Sequence, residues 1–220
     1  MSTSADHALS WGRSQLWLCP ERAAFWADER VLLVADFHLG KAHSFRRLGV
    51  PVPGGTSQAN LARLGALVDR LQAQQVVFLG DFLHSARARS GPGIGAFAAW
   101  HHSRPSLQLT LVRGNHDLRA GDPPAELGIR VVDEPFAWGP WALCHHPVAR
   151  EGQAVVAGHL HPAALVGGAG FDRLCLPAFH LHHDVLVVPA FGEFTGLKAV
   201  SREPGDLCFV TDGVQVFRLP

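Results

Sequence analysis

The sequence predicts an α/β protein in which two β-sheets pack face to face with helices outside. Three observations carry that expectation. Continuous apolar runs, "LLVAD" (32–36), "VVFLGD" (76–81) and "LQLTLVRGN" (107–115), each lead into an acidic or amide residue, as strands buried on both faces do when they end at a site. Between the first two runs, "TSQANLARLGALVDRLQAQ" sets Leu61, Leu64, Val68 and Leu71 at helical spacing. After residue 140 the character changes to short strand-like pieces with little helix between them.

Taken in order, 32–36 is a buried strand, and the helix that follows has Thr56 or Ser57 as its N-cap. A second buried strand ends at Asp81, "GIGAFAAWHH" (93–102) is a further helix candidate, and a third strand ends at Asn115. In the second half, "WALCHH", "AVVAGH", "AALVG", "DRLCLPAF" and "DVLVVPAF" read as strands. The repeat of "LPAF" and "VPAF" marks paired strands rather than a solenoid. In "LCFVTDGVQVF", Asp212-Gly213 between alternating segments predicts a hairpin with a type I′ turn. No linker divides the chain, so residues 1–220 read as a single domain.

Composition bounds the function. The 220 residues are 47% hydrophobic and 17% charged, with zero net charge and a pI near 7.3, which excludes a globally basic nucleic-acid binder. The N-terminus shows no basic segment followed by an apolar one and no run reaches membrane-helix length. A soluble, cytoplasmic protein without signal peptide is expected. Cys19, Cys144, Cys175 and Cys208 form no C-x-x-C pair and read as reduced. The unusual number is 14 histidines, against one methionine and no tyrosine, which directs attention to metal binding.

Five polar clusters follow strand-like runs: "DFH" (Asp36, His38), "GD" (Asp81), "GNHD" (Asn115, His116, Asp117), "HH" (His145, His146) and "GHLH" (His159, His161). Strand ends in α/β sheets are where ligand sites are built. Alternation along a strand or its extension would put Asp36 and His38 on one side, within reach of one ion. The same spacing joins His159 and His161, although a local twist would send them to different ions. Carboxylate, imidazole and amide oxygen without thiolate suit Mn, Fe, Zn or Co. About seven ligands exceed one tetrahedral ion and fit two ions sharing a carboxylate.

The five motifs, in this order, resemble those of the calcineurin-like binuclear metallophosphoesterases. The resemblance implies a two-sheet αββα sandwich with the metal site at strand C-terminal ends. Residue by residue, it implies that Asp36, His38 and His161 bind one ion, that Asn115, His145 and His159 bind the other, and that Asp81 bridges them. A metal-bridging hydroxide would be the nucleophile, His116 the general acid at the leaving oxygen, and Asp117 the group that fixes the His116 ring. "VADFHLGKAHSFRRLGVPVPGGT", "GDFLHS", "VRGNHD", "CHHP", "GHLHP" and "LPAF…PAFGEFTG" further resemble the ligase-associated DNA damage response phosphoesterases, the PdeM type. That implies a manganese-favouring phosphodiesterase and endonuclease of DNA repair, with Zn, Fe or Co as other ions. It also implies DNA, read as single-stranded, as substrate, and a DNA ligase, a helicase and an exonuclease as functional partners.

Other residues keep two readings. Adjacent strand residues point oppositely, so only one of His145 and His146 is expected to be a ligand, and the family pattern favours His145. His84 could contact phosphate or be a plain loop histidine. "HLHHD" (180–184) reads as a solvated hairpin turn rather than a zinc site. Lys41, Arg46, Arg47, Arg87, Arg89 and Arg119 leave strand ends that should surround the metals, and would give a basic rim with salt-sensitive affinity for nucleic acid. Phe45 or Trp100 could stack a base. A phosphatase or small-nucleotide phosphodiesterase is the alternative, since one metal core serves many esters. A non-catalytic scaffold would have lost ligands or His116, and this chain keeps them.

Overall fold

The computed structural model describes residues 5–12, 14–52, 55–167 and 173–220. Pro53 and Gly54 of the "VPVPGGT" run lie outside the described residues. The first sheet has the order β1 (His7–Trp11), β2 (Ser14–Cys19), β3 (Ala23–Trp26), β4 (Val31–Ala35), β5 (Gln75–Leu79), β6 (Gln108–Val112), β7 (Arg130–Val132). β1 to β4 form an antiparallel meander, and β4 to β7 run parallel. The three buried apolar runs are β4, β5 and β6, side by side. The sequence reading missed β1 to β3: β1 and β2 mix polar and apolar residues, and β3 is a buried apolar run of only four residues.

The second sheet contains β8 (Phe136–Trp138), β9 (Trp141–Leu143), β10 (Ala154–Ala157), β11 (Pro162–Gly167), β12 (Arg173–His182), β13 (Val185–Val187) and β14 (Lys198–Ala199). Its order is β14-β11-β12-β13-β10-β9-β8, and β15 (Leu207–Thr211) joins at β12 with β16 (Val216–Arg218) beside it.

Alternation along the central strands divides the core. Leu32, Val34, Val76 and Phe78 face the helix side, where Leu61, Leu64 and Val68 of α2 (Thr56–Leu71) meet them. Leu33, Ala35, Val77 and Leu79 face the second sheet and pack with Leu143, Val156, Phe179, Leu186 and Phe209. Burying one such side chain contributes about 1.5–3 kcal/mol, so strands buried on both faces hold the sheet in register. α1 (Lys41–Arg47), α3 (Pro92–His102) and α4 (Asn115–Ala120) complete the helices.

Three local expectations are corrected. Gly55, with φ 82°, is the N-cap of α2, whereas Thr56 is its first helical residue. Asp212 and Gly213 do not form a two-residue turn: Thr211 pairs with Val216, and the four-residue loop is closed by Asp212 Oδ1 accepting the amides of Val214 and Gln215. β12 and β13 do pair, but the "VPAF" run leaves the sheet after Val187, and its Ala190 bridges to Ala35 of β4. That bridge ties the sheets together beside Asp36.

Candidate metal centre

All five polar clusters lie just beyond strand C-terminal ends: β4 (Asp36, His38), β5 (Asp81, His84), β6 (Asn115, His116, Asp117), β9 (His145, His146) and β10 (His159, His161). Parallel pairing brings these ends together, and backbone bonds lace the loops. His38 N donates to Asp81 O at 2.9 Å, and Gly192 N to Asp36 O at 3.1 Å.

Asp36, His38, Asp81, His159 and His161 all have left-handed backbones, with φ of 50°, 49°, 49°, 71° and 49°. The strand-extension geometry expected for Asp36 and His38 is therefore wrong, although the two side chains still come together in one donor group. Phe37 between them turns into an aromatic cluster with Phe78, Phe82, Phe97 and Phe191, and its neighbours turn out together. A left-handed non-glycine residue costs roughly 1–2 kcal/mol, so the surrounding packing holds these five in place.

Two donor groups result. One nitrogen or oxygen each from Asp36, His38 and His161 lies within 4.8 Å of the others, and so do donors from His145, His146 and His159. His159 and His161 thus serve different groups. Asp36 Oδ1 is 3.5 Å from His161 Nε2. Among the described residues, Asp36 Oδ1 and both His38 nitrogens are buried without a hydrogen-bond partner. Burial, helped by Lys41 and neighbouring histidines, drives the His38 pKa far down, keeping the imidazole neutral, as a metal ligand must be.

In the second group, His145 Nδ1 is 3.1 Å from Leu79 O. A carbonyl only accepts, so Nδ1 carries the proton and Nε2 presents its lone pair. That lone pair meets Asn115 Oδ1 at 2.9 Å and Asp81 Oδ1 at 3.5 Å, with His159 Nδ1 at 3.0 Å. An imidazole lone pair facing two oxygen acceptors is what a cation between them would satisfy. Asp81 turns its other oxygen, Oδ2, to 4.0 Å from His38 Nε2 and 3.9 Å from His116 Nε2. The donor set therefore fits two divalent ions. Gly80 and Gly114 permit this approach: a Cβ on Gly80 would strike the His145 ring, and one on Gly114 would strike Asp81.

A calcineurin-like phosphoesterase family model matches residues 29–159, more than half the chain. The chain belongs to the calcineurin-like phosphoesterases. As a phosphoesterase it is a hydrolytic enzyme, and its fold implies divalent metal ions at the His/Asp clusters. Its fold is also that of the nuclease MPE from Pseudomonas putida, a crystal structure 38% identical over 97% of this chain and 100% of that one, with a TM-score of 0.86. Yfce, a phosphoesterase from E. coli, aligns over 86% of this chain and 97% of that one at 13% identity and a TM-score of 0.43, a likeness too low to carry weight. No curated protein matches the chain.

Two expected roles in the phosphoesterase need correction. Asp117 does not touch the His116 ring. Its buried carboxylate accepts the amides of Gly114, Phe82 and Leu83 at 3.0, 3.3 and 3.0 Å, while His84 O holds His116 Nδ1 at 3.0 Å. Asp117 shapes the loop, and a backbone carbonyl orients the ring. His146 does not point away from His145 either, because both sit in a bend rather than a strand. Their rings are 4.8 Å apart, and His146 is 4.6 Å from the His159 ring.

Sequence reasoning missed Glu134, whose Oε2 accepts the amides of His145 and His146 at 2.7 and 2.9 Å and whose Oε1 meets His146 Nδ1 at 2.6 Å. Nothing marks it in the sequence. Of the weaker candidates, His84 is brought in: its ring stacks on His116 at 5.5 Å and lies 5.7 Å from His38. Arg46, Arg47 and Arg87 line, with His84, a groove of about 950 Å³ between α1 and the Ala86–Ser90 turn. Arg119 is exposed on α4 and is not among the groove's described lining residues. Trp100 packs against the core under Arg104 and is not free to stack a base.

Proposed function

We propose that the chain is a phosphodiesterase that cleaves DNA internally, with manganese as its working ion. Asp36, His38 and His161 would hold one ion and Asn115, His145 and His159 the other, with one Asp81 oxygen toward each. When bound, the ions would neutralise charge on the phosphate oxygens and lower the pKa of a bound water. His116 Nε2 is the free ring nitrogen beside the site, since Nδ1 is taken by His84 O. Once protonated it can deliver a proton to the leaving oxygen, and the carbonyl behind it steadies the imidazolium.

The observation that carries the DNA reading is the arginine-lined groove opening at His84, beside the donor groups. It gives a phosphodiester strand a charged path on one side of the scissile phosphate, in a protein with no net charge. The likeness to a nuclease at 38% identity supports the same reading. Action on single-stranded DNA in repair, alongside a DNA ligase, a helicase and an exonuclease, and a cytoplasmic location complete the proposal. No described helix is long and apolar enough to cross a membrane.

The test uses single-stranded circular DNA, duplex DNA, a nitrophenyl diester and the monoester, each with Mn, Zn or Mg. Cleavage of the circle, which has no end to digest, is the expected result with Mn. Hydrolysis confined to the monoester overturns the proposal in favour of a phosphatase.

A further inference from the structure

The hairpin joining β12 to β13 gathers metal-ligating side chains that the phosphoesterase centre does not use. β13 runs parallel to β10, with Val155 opposite Val185 and Ala157 opposite Val187. His159 follows the C-terminal end of β10, whereas the turn at His183 precedes the N-terminal end of β13. The hairpin cluster therefore lies at the opposite end of the sheet from the metal centre.

The "HLHHD" stretch is more than a solvated turn. The Asp206 side chain is 4% exposed and pairs with two imidazoles: Oδ2 with His180 Nε2 at 2.9 Å, and Oδ1 with His182 Nδ1 at 2.7 Å. Oδ2 also accepts the Glu203 amide at 2.9 Å, fastening the 203–206 turn to β12. A carboxylate that takes the proton on Nδ1 leaves the His182 lone pair on Nε2, the arrangement that outer carboxylates impose on metal-bound histidines. Donor atoms of His182, His183 and Glu203 lie within 4.8 Å of one another, and the His182 and His183 rings are 4.2 Å apart. His183 has φ 49°, a conformation where a turn serving only to reverse the chain would do better with glycine or asparagine.

We propose that His182, His183 and Glu203 form a peripheral site for a divalent transition ion of the zinc type, with Asp206 orienting His182 from behind. Two imidazoles and a carboxylate suit zinc and leave a position for water, whereas hard cations such as magnesium prefer all-oxygen shells. An ion there clasps the hairpin to the 203–206 turn. The site stands apart from the phosphoesterase reading.

The full chain, loaded with manganese, is equilibrated with chelator-buffered zinc, and bound zinc is counted by mass spectrometry. Wild type is expected to hold one zinc per chain more than His183→Asn or Glu203→Gln. Both replaced side chains are exposed, and asparagine tolerates the left-handed backbone. Asp206→Asn is expected to weaken zinc binding roughly 10- to 100-fold while leaving the capacity intact. Turnover with manganese alone should be equal in wild type, His183→Asn and Glu203→Gln. Equal zinc counts in wild type and both variants overturn the proposal, as does a zinc-soaked crystal with no anomalous peak between the three side chains. Turnover that falls with the zinc count overturns the peripheral assignment.

Discussion

The two halves of the metal centre are built differently. Around His145 the donors are already tied: Leu79 O fixes the ring, and Glu134 holds the backbone of His145 and His146. Around His38 they are not. Both nitrogens of that ring and one Asp36 oxygen are buried with no hydrogen-bond partner among the described residues. An unmade buried hydrogen bond costs about 1–3 kcal/mol per group. In the first half a bound ion would offset that desolvation, whereas the second is set by protein contacts with or without one. Metal removal should accordingly loosen the loop after β4 more than the loop after β9. Amide exchange at Phe37–Leu39 against Cys144–His146, with and without chelator, measures the difference, and equal changes would contradict the comparison.

The largest effect is expected where the halves meet. Asp81→Asn removes charge from the carboxylate that faces both groups. Turnover should fall by roughly 10³-fold or more, since two sources of phosphate-charge stabilisation are impaired together. Metal counting should show a loss in both halves. Loss of a single ion would mean that Asp81 serves one half only.

His116→Ala comes next and tests a residue beside the ions rather than beneath them. Two ions should remain bound, while turnover on a diester with a poor leaving group drops about 10²- to 10⁴-fold. The deficit should shrink on a nitrophenyl ester, whose leaving oxygen needs no proton. An equal deficit on both substrates would remove the acid role. Glu134→Gln is smaller and one-sided. Loosening the tie behind His145 should weaken metal affinity at the second half by roughly 10- to 100-fold. Titration with manganese should then resolve a weak step absent in wild type, with the first half unchanged.

These contrasts show what was legible in the sequence. Asp36, His38, Asp81, Asn115, His145, His159 and His161 could be picked out as candidates that would converge, because parallel buried strands announce themselves as apolar runs and the residues after them meet at one edge. The supports could not. Leu79 O and His84 O are backbone atoms, which any residue supplies, and Glu134 is one acidic residue among many. Asp117 was legible as a neighbour of His116 but not in its role, because helical geometry at α4 turns its carboxylate back onto the Gly114 amide. β1 and β2 escaped notice because their polar residues break the apolar signature, and β3 because its apolar run is only four residues long. Left-handed φ at five donors left no trace either, since aspartate and histidine do not advertise that conformation as glycine does.

The smallest expected effect is a pH dependence that separates the halves without turnover. Burial lowers the His84 pKa to about 4, and the neighbouring Lys41 and His116 add to the shift. His38 is lowered further by the same causes. An unfolded imidazole titrates near 6.5, so the unfolded chain binds protons first as pH falls. The stability these two imidazoles contribute in the metal-free protein is full above about 6.5 and is lost progressively as pH falls toward 4 and, for His38, below it. Asp117 works in the other direction: burial raises its carboxyl pKa, and its contribution grows as pH falls. The variants isolate the imidazole part. Between pH 7 and 5, the melting temperature of His84→Gln should fall less steeply than that of wild type. His159→Gln, from the second half, should change the slope in the same direction but less, because burial and His145 lower that imidazole's pKa less far, with Asp36 and Asp81 opposing the shift. A steeper slope in His84→Gln would show that the ring is protonated in the folded protein, and the first half would then carry charge where the geometry calls for a neutral ligand shell.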